Sequence, residues 1–156
     1  MIQLKPLPED AFSAYLAFVI EEYAQQIAIN FDLPIEKARQ VAMTQTTGRL
    51  TEGIHTPDNY FYGIERAANG ECELIGYLWY SVNQAESFAF LDAIDLFAPF
   101  QNQGYGAEVI RLMEEQLTTQ GIRSMSLHVG GTNQRAQRFY QRHGYKITGY
   151  NLKKDW

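Results

Sequence analysis

Residues 100–117 read FQNQGYGAEVIRLMEEQL, and the two glycines ahead of its apolar stripe decide how the chain is organised. Val109, Ile110, Met113 and Leu117 recur at helical spacing, while Arg111, Glu114, Glu115 and Gln116 fall on the other side. That pattern predicts an amphipathic helix with one buried stripe, stopped by Gly121. A strand, AFLDAIDLF (89–97), precedes it, and a shorter one, RSMSLHV (123–129), follows. Strand, helix and strand form a βαβ unit, so the two strands are expected to be parallel neighbours. The helix then begins at the C-terminal edge of a strand, where open α/β sheets collect ligands. Its free N–H groups and positive dipole end suit an anion. Gly104 and Gly106 would let phosphate oxygens approach the backbone and would permit a positive φ. A turn that needs glycine for its geometry alone would leave the same pair of residues.

The rest of the chain supplies the neighbours of this unit. MIQLKPL (1–7) alternates like a short strand and ends among prolines. PEDAFSAYLAFVIEEYAQQIAI (8–29) and PIEKARQVAMTQTTGRL (34–50) carry helical periodicity. NYFYGIER (59–66) and CELIGYLWYSV (72–82) are strand-like and flank AANGE, a hairpin turn. TNQRAQRFYQRHG (132–144) reads as a helix and YKITGYNLKK (145–154) as a last strand. The fold class is therefore α/β with a mixed, twisted sheet and helices on both faces, in one domain over residues 1–156.

With 46% hydrophobic and 20% charged residues, the 156-residue chain has the composition of a soluble globular domain. No run approaches a membrane span and no signal peptide opens it, so a cytoplasmic protein is expected. Cys72 stands alone in an apolar strand pattern and is expected to be structural. The three histidines are too scattered for a metal site, and none is expected. The charge is polarised. Residues 1–116 hold 17 acids and 6 bases, whereas residues 117–154 hold seven bases and no acid. An anionic ligand is expected near the C-terminal part and a cationic one near the acidic part. A nucleic-acid partner is disfavoured because the formal net charge is −5. Dinucleotide binding and a Walker loop both fail: Val109 occupies the third glycine position, and no Gly-Lys-Ser/Thr follows.

Gln101, Gly104 and Gly106 in the glycine stretch, with Asn133, Ala136, Tyr140, Gly144 and Tyr145 further on, give residues 88–156 two spaced signatures by which they resemble the GNAT superfamily of N-acetyltransferases. Gln101, Gly104 and Gly106 match its acetyl-CoA loop, Arg/Gln-x-x-Gly-x-Gly/Ala. Asn133, Ala136, Tyr140, Gly144 and Tyr145 match its second signature, Asn-x-x-Ala-x-x-x-Tyr-x-x-x-Gly-Tyr/Phe. The two occur in order and at the expected separation. Gln101 departs from the commoner arginine, which removes one charge from the loop.

The resemblance implies a GNAT-like fold and acetyl transfer from acetyl-CoA to a primary amine, with no membrane or nucleic-acid partner, in a monomer or homodimer. It implies that coenzyme A pairs with the strand near Ile94–Phe97 and that its pyrophosphate rests on the N–H groups of Gln103, Gly104, Tyr105, Gly106 and Ala107. Asn133 and Ala136 belong to the same cofactor site. A backbone N–H at Leu96 or Phe97 would bind the oxyanion, and Tyr140 would be the acid for the thiolate. For the base, His128 stands twelve residues before Tyr140, where ribosomal-protein acetyltransferases place a glutamate. Asp92 and Asp95 are alternatives, and their offset of three is expected to send them to opposite faces of the strand. Glu22, Tyr23 and Tyr77 are candidates for the acceptor, beside Glu21. A different class of function, a noncatalytic coenzyme-A sensor or interaction module, would have no use for Tyr140.

Overall fold

The computed structural model describes residues 1–156. Five strands form one sheet in the order β1 (Ile2–Pro6), β2 (Asn59–Ala68), β3 (Glu71–Asn83), β4 (Phe88–Leu96) and β5 (Ser124–Leu127). The first four pair antiparallel, and β4 with β5 is parallel, as the intervening helix requires. The helices are α1 (Phe12–Phe31), α2 (Ile35–Arg49), α3 (Tyr105–Thr119) and α4 (Gln134–Arg142).

Alternation along β2 and β3 divides their apolar side chains between two layers. Tyr62, Ile64, Leu78, Tyr80 and Val82 pack with Val109, Ile110, Met113 and Leu117 of α3. The opposite parity, Phe61, Tyr77 and Trp79, packs with Tyr15 and Val19 of α1. Between α1 and α2 the contact is built from Ile27 and three alanines, Ala24, Ala38 and Ala42, the alanines small enough for close approach. Arg39 closes that seam by donating to both carboxylate oxygens of Glu21 at 2.9 and 3.0 Å. No helix is long and apolar enough to cross a membrane.

Two expectations fail. Cys72 lies in β3 but is exposed beside the hairpin tip, not built into the core. The last strand is also absent: residues 146–156 make no backbone hydrogen bond, and Ile147, Tyr150, Leu152 and Trp156 are exposed. Tyr145 and Ile147 alternate, but Gly149 puts Tyr150 and Leu152 on the opposite parity. No single face of the segment is therefore apolar, and its partner strand would be β5, only four residues long. A groove of about 1030 Å³ separates β5 and α4 from this segment.

Candidate active site

β4 and β5 pair only from Phe88–Leu91 to Ser124–Leu127. Beyond Leu91 they part, which leaves the rest of β4 without a partner on that side. Ladder geometry then decides which amides are free. Phe97 N–H donates to Ile75 O at 2.9 Å, so it is already used in the β3 side of the sheet. Leu96, of opposite parity, turns its N–H toward the opening.

The glycine stretch caps α3 at the mouth of this opening. Gly104 is the N-cap with φ 86°, a conformation that other residues rarely adopt, and a Cβ there would meet nothing within 4 Å. The first intrahelical bond runs from Glu108 N to Gly104 O at 3.3 Å. The amides of Tyr105, Gly106 and Ala107 are therefore the unpaired donors of a helix start. Gly106 serves a different purpose, since a Cβ there would stand 3.4 Å from the Phe139 ring. It lets α4 lie against the first turn of α3.

Both glutamines of the loop turn back on their own backbone. Gln101 Nε2 donates to Leu96 O at 2.9 Å and Gln103 Nε2 to Pro99 O at 2.6 Å. They shape the loop with side chains that carry no charge. The cation comes instead from α4, where Arg135 hydrogen-bonds Asn102 Oδ1. Sequence spacing did not single out Arg135 among the arginines of that helix; only its contact with the loop does.

On the α1 side of the opening, a cavity of about 480 Å³ brings together Glu22, Tyr23, Asp92, Asp95, His128, Asn133, Ala136 and Tyr140. Asp92 and Asp95 share this face, contrary to the expectation from simple alternation. A bulge explains it: Trp79 pairs with Ala93 and Tyr80 with Leu91, so Asp92 is the extra residue of β4. Alternation restarts after it, and Ala93, Asp95 and Phe97 continue on the side that Asp92 faces.

The environments of these groups differ. Burial, with a smaller contribution from Glu22, raises the Asp95 carboxyl to about 7. Burial also raises Asp92, against the opposing pull of Arg49 and Ser81. The Asp92 side chain is 1% exposed, and Arg49 Nη1 stands 2.5 Å from its Oδ1. The same guanidinium lies 4.9 Å from the Trp79 ring. Burial, then the charge of Asp95, pushes the Tyr140 hydroxyl up to about 12. Asn133 caps α4 by accepting from Ala136 N at 3.1 Å, which gives this signature residue a structural task. His128 follows the end of β5 and is exposed at the cavity rim. Tyr23 hydrogen-bonds Gln45 at 2.5 Å and ties α1 to α2.

Tyr77 is not brought to the cavity. It is buried under α1, with its ring 5.1 Å from Tyr15 and 5.5 Å from both Phe18 and Phe97. Glu21 is likewise taken by Arg39. Arg49 and Trp79 were missed as cavity residues. No local pattern marks them, because the Asp92 bulge and the packing of α2 bring them there.

Comparison with known proteins agrees with the fold. The model of the acetyltransferase (GNAT) family matches residues 18–145. Among curated relatives, the uncharacterized N-acetyltransferase YycN of Bacillus subtilis is 26% identical over 156 residues, covering 98% of this chain and 97% of the relative. The crystal structure of YycN superposes with a TM-score of 0.90 at 24% identity, covering 100% of this chain and 99% of that one. Spermidine N-acetyltransferase from Vibrio cholerae, in complex with CoA and spermine, gives a TM-score of 0.69 at 16% identity. Its alignment covers 99% of this chain and 86% of that one.

Proposed function

The chain belongs to the acetyltransferase (GNAT) family and is an acetyl-CoA-dependent N-acetyltransferase, and we propose that its acceptor is a small cationic primary amine that attacks the thioester directly. The observation that carries this reading is the cavity of about 480 Å³, where Glu22, Asp92 and Asp95 meet Tyr140 and only Arg49 brings a fixed positive charge. An acidic, partly apolar pocket of that size suits a small ammonium compound better than an anionic acceptor. Vibrio cholerae spermidine N-acetyltransferase, a fold neighbour, was crystallised with a polyamine, and this supports the same class.

In the proposed reaction acetyl-CoA lies in the opening between β4 and β5, with its pyrophosphate on the amides of Gln103 to Ala107 and beside Arg135. The ammonium loses its proton to Asp95, whose carboxyl near 7 is half ionised at neutral pH. The neutral nitrogen attacks the acetyl carbon, the C–N bond forms, and the oxyanion accepts the Leu96 N–H. Collapse breaks the C–S bond and releases the thiolate toward Tyr140. A thiolate, whose thiol has a pKa of ~8.5, is a weaker base than the phenolate of a hydroxyl near 12. Tyr140 therefore stabilises the departing sulfur mainly by donating a hydrogen bond. The nitrogen gives up a second proton as the amide forms; one of the two leaves on the sulfur as thiol, and His128, at the rim, relays the other to solvent.

The test is an acceptor panel of diamines and polyamines, amino acids, aminoglycosides and peptides, followed by thiol release from acetyl-CoA. Turnover is expected with the small polycationic amines. Turnover confined to peptides or to anionic amino acids would overturn the acceptor class. Coenzyme A binding with no turnover on any amine would favour the noncatalytic reading.

A further inference from the structure

The glycine stretch is bracketed by two aromatic residues, and one side chain from the sheet holds both. Phe100 ends the short 3-10 turn Ala98–Phe100, and Tyr105 begins α3. Between them Asn102 and Gly104 have φ of 62° and 86°, so half of the four intervening residues occupy left-handed backbone. Such a segment keeps one shape only if its surroundings impose it. Arg66, on β2, stands opposite Glu73 of β3, whose Oε2 accepts from its Nε at 2.8 Å. Its Nη1 donates to the Tyr105 hydroxyl at 3.1 Å, and its guanidinium lies 4.7 Å from the Phe100 ring. The planar fork is thus fixed on the sheet by Glu73 and grips one residue at each end of the loop.

We infer that Arg66 is a positioning residue for the phosphates of coenzyme A: it holds residues 101–104 in the shape that aims the free amides of α3, without touching the cofactor. This rests on the reading that those amides carry the pyrophosphate. An ordered loop meets the anion without first losing conformational freedom, so its preorganisation should show in affinity for the phosphate-bearing part alone.

Calorimetric titrations of coenzyme A and of pantetheine, which lacks the phosphates, separate the possibilities. Arg66→Ala should weaken coenzyme A roughly tenfold and leave pantetheine unchanged. In steady state it should raise KM for acetyl-CoA and leave kcat and the acceptor KM alone. Tyr105→Phe removes only the hydroxyl that Arg66 holds; it should cause a smaller loss with the same selectivity. The double variant should be no worse than Arg66→Ala, because both changes break one contact. Equal losses for both ligands, additive effects, or undiminished discrimination in Tyr105→Phe would overturn the inference, and Tyr105→Phe decides it alone if Arg66→Ala does not fold. Wild-type protein that binds the two ligands equally would instead sink the pyrophosphate reading beneath it.

Discussion

At Asp95 the burial that fits the carboxyl for the proposed role of base works against stability. A carboxyl raised to about 7 in the fold, against an unfolded value of about 4, binds more protons folded than unfolded between those limits. Stability from this group therefore falls as pH rises from about 4 to about 7 and is level above. Asp95→Asn should remove that slope, and its gain in Tm should be largest above pH 7, while activity is lost. If Asp95 is the base, the wild-type pH–rate profile rises toward a limb near 7 that the variant lacks. A limb that survives in Asp95→Asn and disappears in His128→Ala would transfer the role to His128. Tyr140→Phe keeps the ring packed and removes the hydroxyl. Turnover should drop roughly 10²–10³-fold, the scale of one lost transition-state hydrogen-bond donor, with acetyl-CoA affinity intact, and full turnover in a chemistry-limited assay would refute its assignment. How far these residues could be read from sequence differs sharply. Tyr140 and Asn133 sit in a spaced signature on one helix, and local periodicity places them together. Asp92 and Asp95 were misplaced because a bulge is set by the partner strand, and no residue within β4 announces it.

Among the elements, α3 was legible because its stripe, its glycine start and its Gly121 stop are all local. The two glycines at its head nevertheless have separate causes. Gly104 is required by a left-handed backbone facing open space, whereas a Cβ at Gly106 would stand at the near edge of ordinary contact with the Phe139 ring. Gly104→Val should therefore abolish measurable acetyl-CoA binding and lower stability through strain at φ 86°. Gly106→Ala leaves the backbone unstrained and brings a methyl to 3.4 Å from the Phe139 ring. It should cost about 1 kcal/mol of stability and much less affinity. Calorimetry with thermal unfolding of both variants checks the contrast, and equal loss of affinity in the two would show that the glycines act as one turn. The final strand failed for the converse reason. Its residues have strand-like propensity, but a strand is completed by a partner edge and a consistent apolar face, and neither β5 nor the Gly149 break supplies them.

Across the whole molecule, the arrangement of charge was readable before the fold and its meaning was not. Counting placed seven bases and no acid in residues 117–154, but only the packing of α4 against the start of α3 brings Arg135 to the loop. The acids of α1 and β4 meet in the cavity beside this opening, so under the proposed function the basic side would serve the phosphates and the acidic side the amine. Exposed charges attract across solvent only within about a Debye length, roughly 8 Å at physiological salt. The basic wall should therefore make cofactor binding depend on ionic strength. Affinity for coenzyme A should fall with added salt more steeply than affinity for pantetheine, which retains the amide arm but not the phosphates. Arg135→Ala should flatten the coenzyme A slope toward that of pantetheine, whereas Lys153→Ala, on the exposed tail and paired with Asp155, should leave it unchanged. Titrations at three or four salt concentrations measure these slopes directly. Parallel slopes for the two ligands in wild-type protein would show that the segregation of charge along the chain plays no part in holding the cofactor.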